Sequence, residues 1–215
     1  MTELNMPHDG PASPLFRPIP LAGNIPFADL PQQAVSPAMA EAAAHAPTGA
    51  AVAWGLPFEI GAGILLIGQP VELTLDAFRA GWLVFLHTSD IRPVEPGPGG
   101  FISPMRGEGQ LGELAASYTV IYADGEEMRL PIKRRHQIGM VTRRWGENCF
   151  EAVAHHKPYP VRASHEQTNP DWGFSQTRAF SADWSEWVNW LWAWQNPRPD
   201  VAIAGLRLSR ATASW

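Results

Sequence analysis

This sequence predicts an all-β fold, an antiparallel two-sheet β-sandwich, and three observations lead there. Short segments alternate apolar and polar residues with a period of two, the repeat of a strand that buries one face. One pair of such segments is joined by Asp124-Gly125, a strong short-range hairpin signal. The composition agrees: 19 Gly, 21 Pro and 10 Trp stand against only 17% charged residues, a balance that favours turns and aromatic packing over surface helices. At 215 residues the chain suits one large β domain better than two.

Residues 1–22 hold several prolines and no periodicity, so an extended N-terminal arm is expected there, with residues 23–215 as a single sandwich domain. Ser36 to His45 has a Ser-Pro start and an Ala-rich body, with Pro47 following, and predicts one short helix near 36–45. In VELTLD, Val71, Leu73 and Leu75 share one parity and Glu72, Thr74 and Asp76 the other. GWLVFLHT, residues 81–88, is apolar on both parities and predicts a central strand covered on both faces. Tyr118, Val120 and Tyr122 alternate before Asp124-Gly125, and Met128, Leu130 and Ile132 after it, which predicts a hairpin closed by a two-residue type I′ turn. Near the end, Val201 and Ile203 lie on one parity and Leu206 and Leu208 on the other, which a bulge at Gly205 reconciles.

Charge and cysteine usage exclude several functions. Sixteen basic against 21 acidic residues give a net charge of -5, which offers no footprint for a phosphate backbone, so no nucleic acid partner is expected. No apolar run approaches the roughly 20 residues of a membrane span, and no membrane partner is expected. The opening MTELNMPHDGPASP has no basic stretch followed by an apolar one, so the cytoplasm is the expected compartment. Cys149, the one cysteine, precludes an internal disulfide and reads as a packed thiol. His155 and His156 are adjacent and would face opposite sides of a strand, so no zinc site and no cofactor are expected. A structural Ca²⁺ held by Asp, Asn and loop carbonyls suits such a fold, yet no Asp-rich loop identifies one. GPGG at 97–100 lacks the Lys-Ser/Thr of a phosphate loop.

Four segments together resemble a known family: GLPFEI at 55–60, LHTSD at 86–90, YTVIYADGEEMRLPI, and WAWQNPRPDVAIAGLRL. In order and character they are similar to the galactose-binding-like β-sandwich accessory domains of bacterial glycoside hydrolases, across roughly residues 52–210. The resemblance implies a jelly-roll sandwich and a carbohydrate-associated domain without catalysis of its own, which binds a glycan or packs against a catalytic domain or protein. The alternative is a stand-alone carbohydrate-active hydrolase or lyase using loop carboxylates among Glu147, Glu151, Glu166 and Asp171.

For glycan binding, a flat indole stacks on a sugar face and an arginine grips a carboxylate with two parallel hydrogen bonds. Residues in or beside the long turn-rich segments give the expected ligand set: His87, Arg144, Trp145, Trp172 and Arg178. The basic stretch from Lys133 to Arg144 reads either as part of such a clamp or as solvated strand ends. Trp184, Trp187 and Trp190 repeat at helical spacing while Trp190, Trp192 and Trp194 alternate as in a strand, and most of these rings are expected in the core.

Overall fold

The computed structural model describes residues 11–92, 96, 99–100, 108–142, 148–155 and 186–211. Among the described residues nine strands follow a short helical start: β1 Gly49–Ala53, β2 Leu56–Ile60, β3 Val71–Phe78, β4 Trp82–His87, β5 Leu114–Tyr122, β6 Glu127–Lys133, β7 Ala152–Ala154, β8 Trp190–Gln195 and β9 Ile203–Arg210. Every named pair is antiparallel. Two sheets, ordered β3-β9-β5-β6 and β4-β8-β7, enclose the main core, and the β1-β2 hairpin forms a third layer.

Period two explains which side chains go where. Tyr118, Val120 and Tyr122 of β5 meet Leu130 and Ile132 of β6 and Trp190 and Trp192 of β8 in one cluster. The opposite parity of β8 and β4, through Leu191, Val84 and Leu86, packs against Ala51, Ala53 and Phe58 of the hairpin. β4 is therefore covered on both faces, as its apolar sequence requires. It is nonetheless an edge strand rather than a central one, since among the described residues it pairs with β8 alone.

β9 switches parity in the expected place. Ile121 of β5 pairs with Gly205 but the next residue, Tyr122, pairs with Ile203, so β9 carries one extra residue. That bulge turns Ile203, Leu206 and Leu208 all inward. A Cβ at Gly205 would lie 2.8 Å from the carbonyl oxygen of Leu73 on β3, so the site admits only glycine without backbone movement.

The β5-β6 connection corrects the expected turn. Only Gly125, at φ 87, has a positive φ there, so Asp124 does not take the left-handed conformation a type I′ turn demands. The Gly125 N–H donates to Tyr122 O at 3.0 Å and the Tyr122 N–H to Glu126 O at 2.9 Å, which makes a three-residue loop closed by glycine. The two-residue hairpin loop lies elsewhere, between β1 and β2, where Trp54 and Gly55 stand at φ 54 and 76.

The predicted short helix is α1, Pro37–Ala42, continued by a 3-10 turn at Ala43–His45. Ser36 caps it by accepting the Met39 N–H at 3.1 Å. A preceding 3-10 segment, Phe27–Gln32, packs with it around Met39, Ala42, Val141 and Trp187 at one end of the sandwich.

Candidate functional site

Three of the sequence segments singled out above turn out to be joints of the scaffold. His87 ends β4 with its ring parallel to Trp192, centroids 6.5 Å apart at 6°. Its Nε2 lies 2.8 Å from Gln137 O and its Nδ1 2.9 Å from the Tyr118 hydroxyl. A carbonyl oxygen only accepts, so Nε2 carries the proton, and Nδ1 accepts from Tyr118. Burial holds the imidazole down to about pKa 4, against the opposing pull of the Gln137 hydrogen bond, and pushes the Tyr118 phenol upward. The ring is neutral at pH 7 with both nitrogens used inside the fold.

Next to it, Asp90 accepts from the Ser36 N–H at 2.6 Å and the Ser36 hydroxyl at 2.5 Å, tying β4 to the helix cap. Arg134 donates to Asp90 O at 2.7 Å and Ser89 Oγ at 3.2 Å, with Glu113 3.8 Å from its Nε. Its side chain is only 11% exposed, so this member of the basic stretch is an internal clamp rather than a solvated strand end. Arg92 pairs with the other oxygen of Glu113.

The ADG hairpin and the NPRP segment meet each other. Arg198 Nη2 and Nη1 reach the Asp124 carboxylate at 2.5 and 3.3 Å, and the guanidinium stands 4.7 Å from the centroid of Tyr122. That charge-assisted pair is the main cause holding the Asp124 carboxyl below its ordinary pKa. Tyr122 donates to Asn196 Oδ1 at 2.6 Å, and Asn196 donates to Ala80 O at 2.8 Å. Buried indoles are anchored in the same manner: Trp187 donates to Asn189 Oδ1 and Trp190 to Met140 O.

The open surface lies elsewhere. An open hollow of about 2480 Å³ runs along β4, whose second edge has no strand beside it among the described residues, and is walled also by parts of β2, β3 and β9. All six residues of β4 line it, with Leu75 and Phe78 of β3 and Leu206 and Leu208 of β9. Seven large apolar side chains are exposed among the described residues. Six of them, Leu15, Phe16, Leu21, Ile67, Trp82 and Leu114, line this hollow. The arm supplies three. It is tied at Ser13, whose N–H donates to Gly55 O at 2.7 Å, and at Asn24, whose amide bonds Leu65 on both sides.

The seventh, Phe150, is 72% exposed on another surface. His136 stands beside it with centroids 5.1 Å apart, and Glu151 accepts from Gln137 Nε2 at 2.8 Å. This ridge flanks residues 143–147 in sequence, which hold the expected Arg144 and Trp145.

Of the expected ligand residues, the structure places His87, at the wall of the hollow and bonded as above. Arg144, Trp145, Trp172 and Arg178 lie outside the described residues, so none of them is shown together with it. The same holds for Glu147, Glu166 and Asp171 of the carboxylate alternative. Sequence reasoning passed over Trp82 and the arm's Leu15 and Leu21, which are the exposed apolar groups. The available signal was apolar residues set between prolines in PLFRPIPL, where no periodicity buries them. Among the described residues no group of three or more His, Cys, Asp or Glu is placed to hold a metal ion. No helix among them is long and apolar enough to cross a membrane. Compared with known proteins, the chain matches no family model, no curated protein and no solved structure.

Proposed function

We propose that this chain is a non-catalytic, carbohydrate-associated sandwich of the galactose-binding-like, jelly-roll type that packs through the side along β4 against a glycoside hydrolase partner. The observation that carries the packing role is the gathering of six exposed large apolar side chains on one hollow. Scattered exposed leucines are ordinary on a protein surface, but a contiguous apolar patch marks an interaction site. The hollow of about 2480 Å³ is also well beyond the roughly 300–1,000 Å³ of a small-molecule pocket, so its size suits a protein surface better than one sugar. The carbohydrate association rests on the sequence resemblance alone.

The test begins with the coding sequence fused or adjacent to this one. Where it specifies a glycoside hydrolase or lyase, the two proteins expressed together are expected to elute as one complex, and Trp82→Glu is expected to dissociate it. Independent elution of the two wild-type proteins at micromolar concentration sinks the packing role.

A second reading, direct glycan binding, is favoured by Phe150, an exposed ring with a histidine and a carboxylate at its side. It predicts saturable binding to a polysaccharide in a glycan-panel titration, with Phe150→Ala losing about 1–3 kcal/mol of it. Absence of binding to any neutral or acidic polysaccharide removes that reading and leaves the packing role in place.

A further inference from the structure

Charges around the hollow are not balanced. Among the described residues, five arginines, Arg17, Arg79, Arg92, Arg134 and Arg210, line it against three carboxylates, Glu59, Asp90 and Glu113. Two of the carboxylates are already engaged: Asp90 accepts from the N–H and hydroxyl of the cap residue Ser36, and Glu113 sits between Arg92 and Arg134. Arg17, Arg79 and Arg210 are exposed and form no ion pair with any described carboxylate, Arg17 standing only loosely over Phe78 at 6.0 Å. A surplus of positive charge thus frames an apolar surface on a chain whose net charge is -5.

Position sharpens the point. Phe78, the neighbour of Arg79 and the ring beneath Arg17, pairs with Ile203 at the start of β9, while Arg210 is the last residue of that strand. With one residue taken up by the bulge, six extended steps at roughly 3.3 Å separate the ends, so the backbones carrying the basic groups lie about 20 Å apart along the wall of the hollow. Opposite charge at both ends of an apolar surface fixes the register of a docked partner and hastens its encounter.

We propose that the partner received by this hollow is a protein surface with an apolar centre and carboxylates at both ends, paired by Arg17 and Arg79 at one end and by Arg210 at the other. This rests on the packing role argued above and adds the chemistry of the partner. A concave site of this length suits a protruding protein segment better than a flat bilayer, though an anionic membrane shares the same chemistry and is the rival.

Two dyes and one vesicle test it on the full chain. Bis-ANS is apolar and anionic, Nile red is apolar and neutral, and both are read by fluorescence. The wild type is expected to bind both saturably, and Trp82→Glu to weaken both. Arg17→Glu with Arg79→Glu, and separately Arg210→Glu, are expected to weaken bis-ANS by about fivefold per arginine at low salt and leave Nile red unchanged. Arg129→Glu, on β6 and outside the lining of the hollow, is the control and leaves both dyes unchanged. Nile red binding with bis-ANS indifferent to the arginine variants overturns the charge inference while the packing role stands. Failure of both dyes to bind the wild type removes the packing role itself. Salt-sensitive capture on phosphatidylserine vesicles, absent on phosphatidylcholine vesicles and lost in the arginine variants, overturns the protein partner in favour of the membrane. Circular dichroism and thermal melts unchanged in the exposed-arginine variants certify that each outcome concerns binding.

Discussion

A histidine with both nitrogens satisfied inside an aromatic layer becomes a pH sensor for stability. Unfolded, the His87 imidazole takes up a proton near pH 6.5, and folded only near pH 4. Between those values the unfolded chain holds the extra proton, so stability is complete above about 6.5, falls as the pH drops towards 4, and levels off below. The loss attributable to this ring is about 3 kcal/mol. Thermal melts at steps from pH 7 to pH 4 are expected to show that decline, and His87→Gln, which keeps a donor and an acceptor, is expected to flatten it. An identical pH profile for the variant would assign the decline to other groups. At Trp54 the same scale shows strain held in place. Its left-handed backbone, unusual for a bulky side chain, is retained because the indole donates to Ala154 O at 2.8 Å on β7 and packs with the third layer.

Among the elements, β9 has the least freedom. It lies between β3 and β5, and its bulge lets Ile203 share a face with Leu206 and Leu208. Gly205→Ala places a methyl group 2.8 Å from the Leu73 oxygen and must open the β3-β9 ladder to fit. The expected cost is about 1–3 kcal/mol, seen as a lower urea midpoint with unchanged far-UV signal. An unchanged midpoint would mean that the close approach is not maintained in solution. The loop after β5 is bound from outside, by Arg198 on Asp124 and Tyr122 and by Asn196 on the Tyr122 hydroxyl. Arg198→Ala removes a surface ion pair but also the cover over an aromatic ring, so a small lowering of the midpoint is expected in chemical denaturation. No shift would show the guanidinium to be freely solvated.

At the scale of the molecule, three apolar clusters are stacked in layers and at one end, and the arm belongs to none of them before Ile25. Deleting residues 1–22 is therefore expected to lower the melting temperature by only a few degrees, the order of one or two hydrogen bonds in a domain of this size. It is also expected to weaken the binding of a neutral apolar dye, because Leu15, Phe16 and Leu21 are half of the exposed large apolar side chains that line the hollow. Loss of cooperative unfolding on deletion would make the arm an integral strand of the fold instead.

How much of this was legible in the sequence depends on the range of the forces involved. Strand parity, the β5-β6 hairpin, the capped helix and the bulge at Gly205 follow from side-chain alternation and local turn chemistry, which neighbouring residues determine among themselves. The burial of Trp190 and Trp192 was legible for the same reason, since an apolar stripe on a strand packs. The turn at Asp124-Gly125 misled because Asp-Gly serves both a two-residue and a three-residue loop, and the choice is made by how the flanking strands register across the sheet. Nothing local marked β4 as an edge: an apolar strand looks alike whether a second strand or an open hollow lies beside it. His87 and Arg134, each attractive as a ligand in the sequence, are bound by groups from 31 to 50 residues away, and only the packing of the two sheets brings those partners within reach. The sequence by itself thus determined the fold class and the parity of its strands, because those arise from short-range alternation. Tertiary structure alone decided which polar groups were consumed within the scaffold and which apolar groups were left on its surface, because both are settled by long-range pairing.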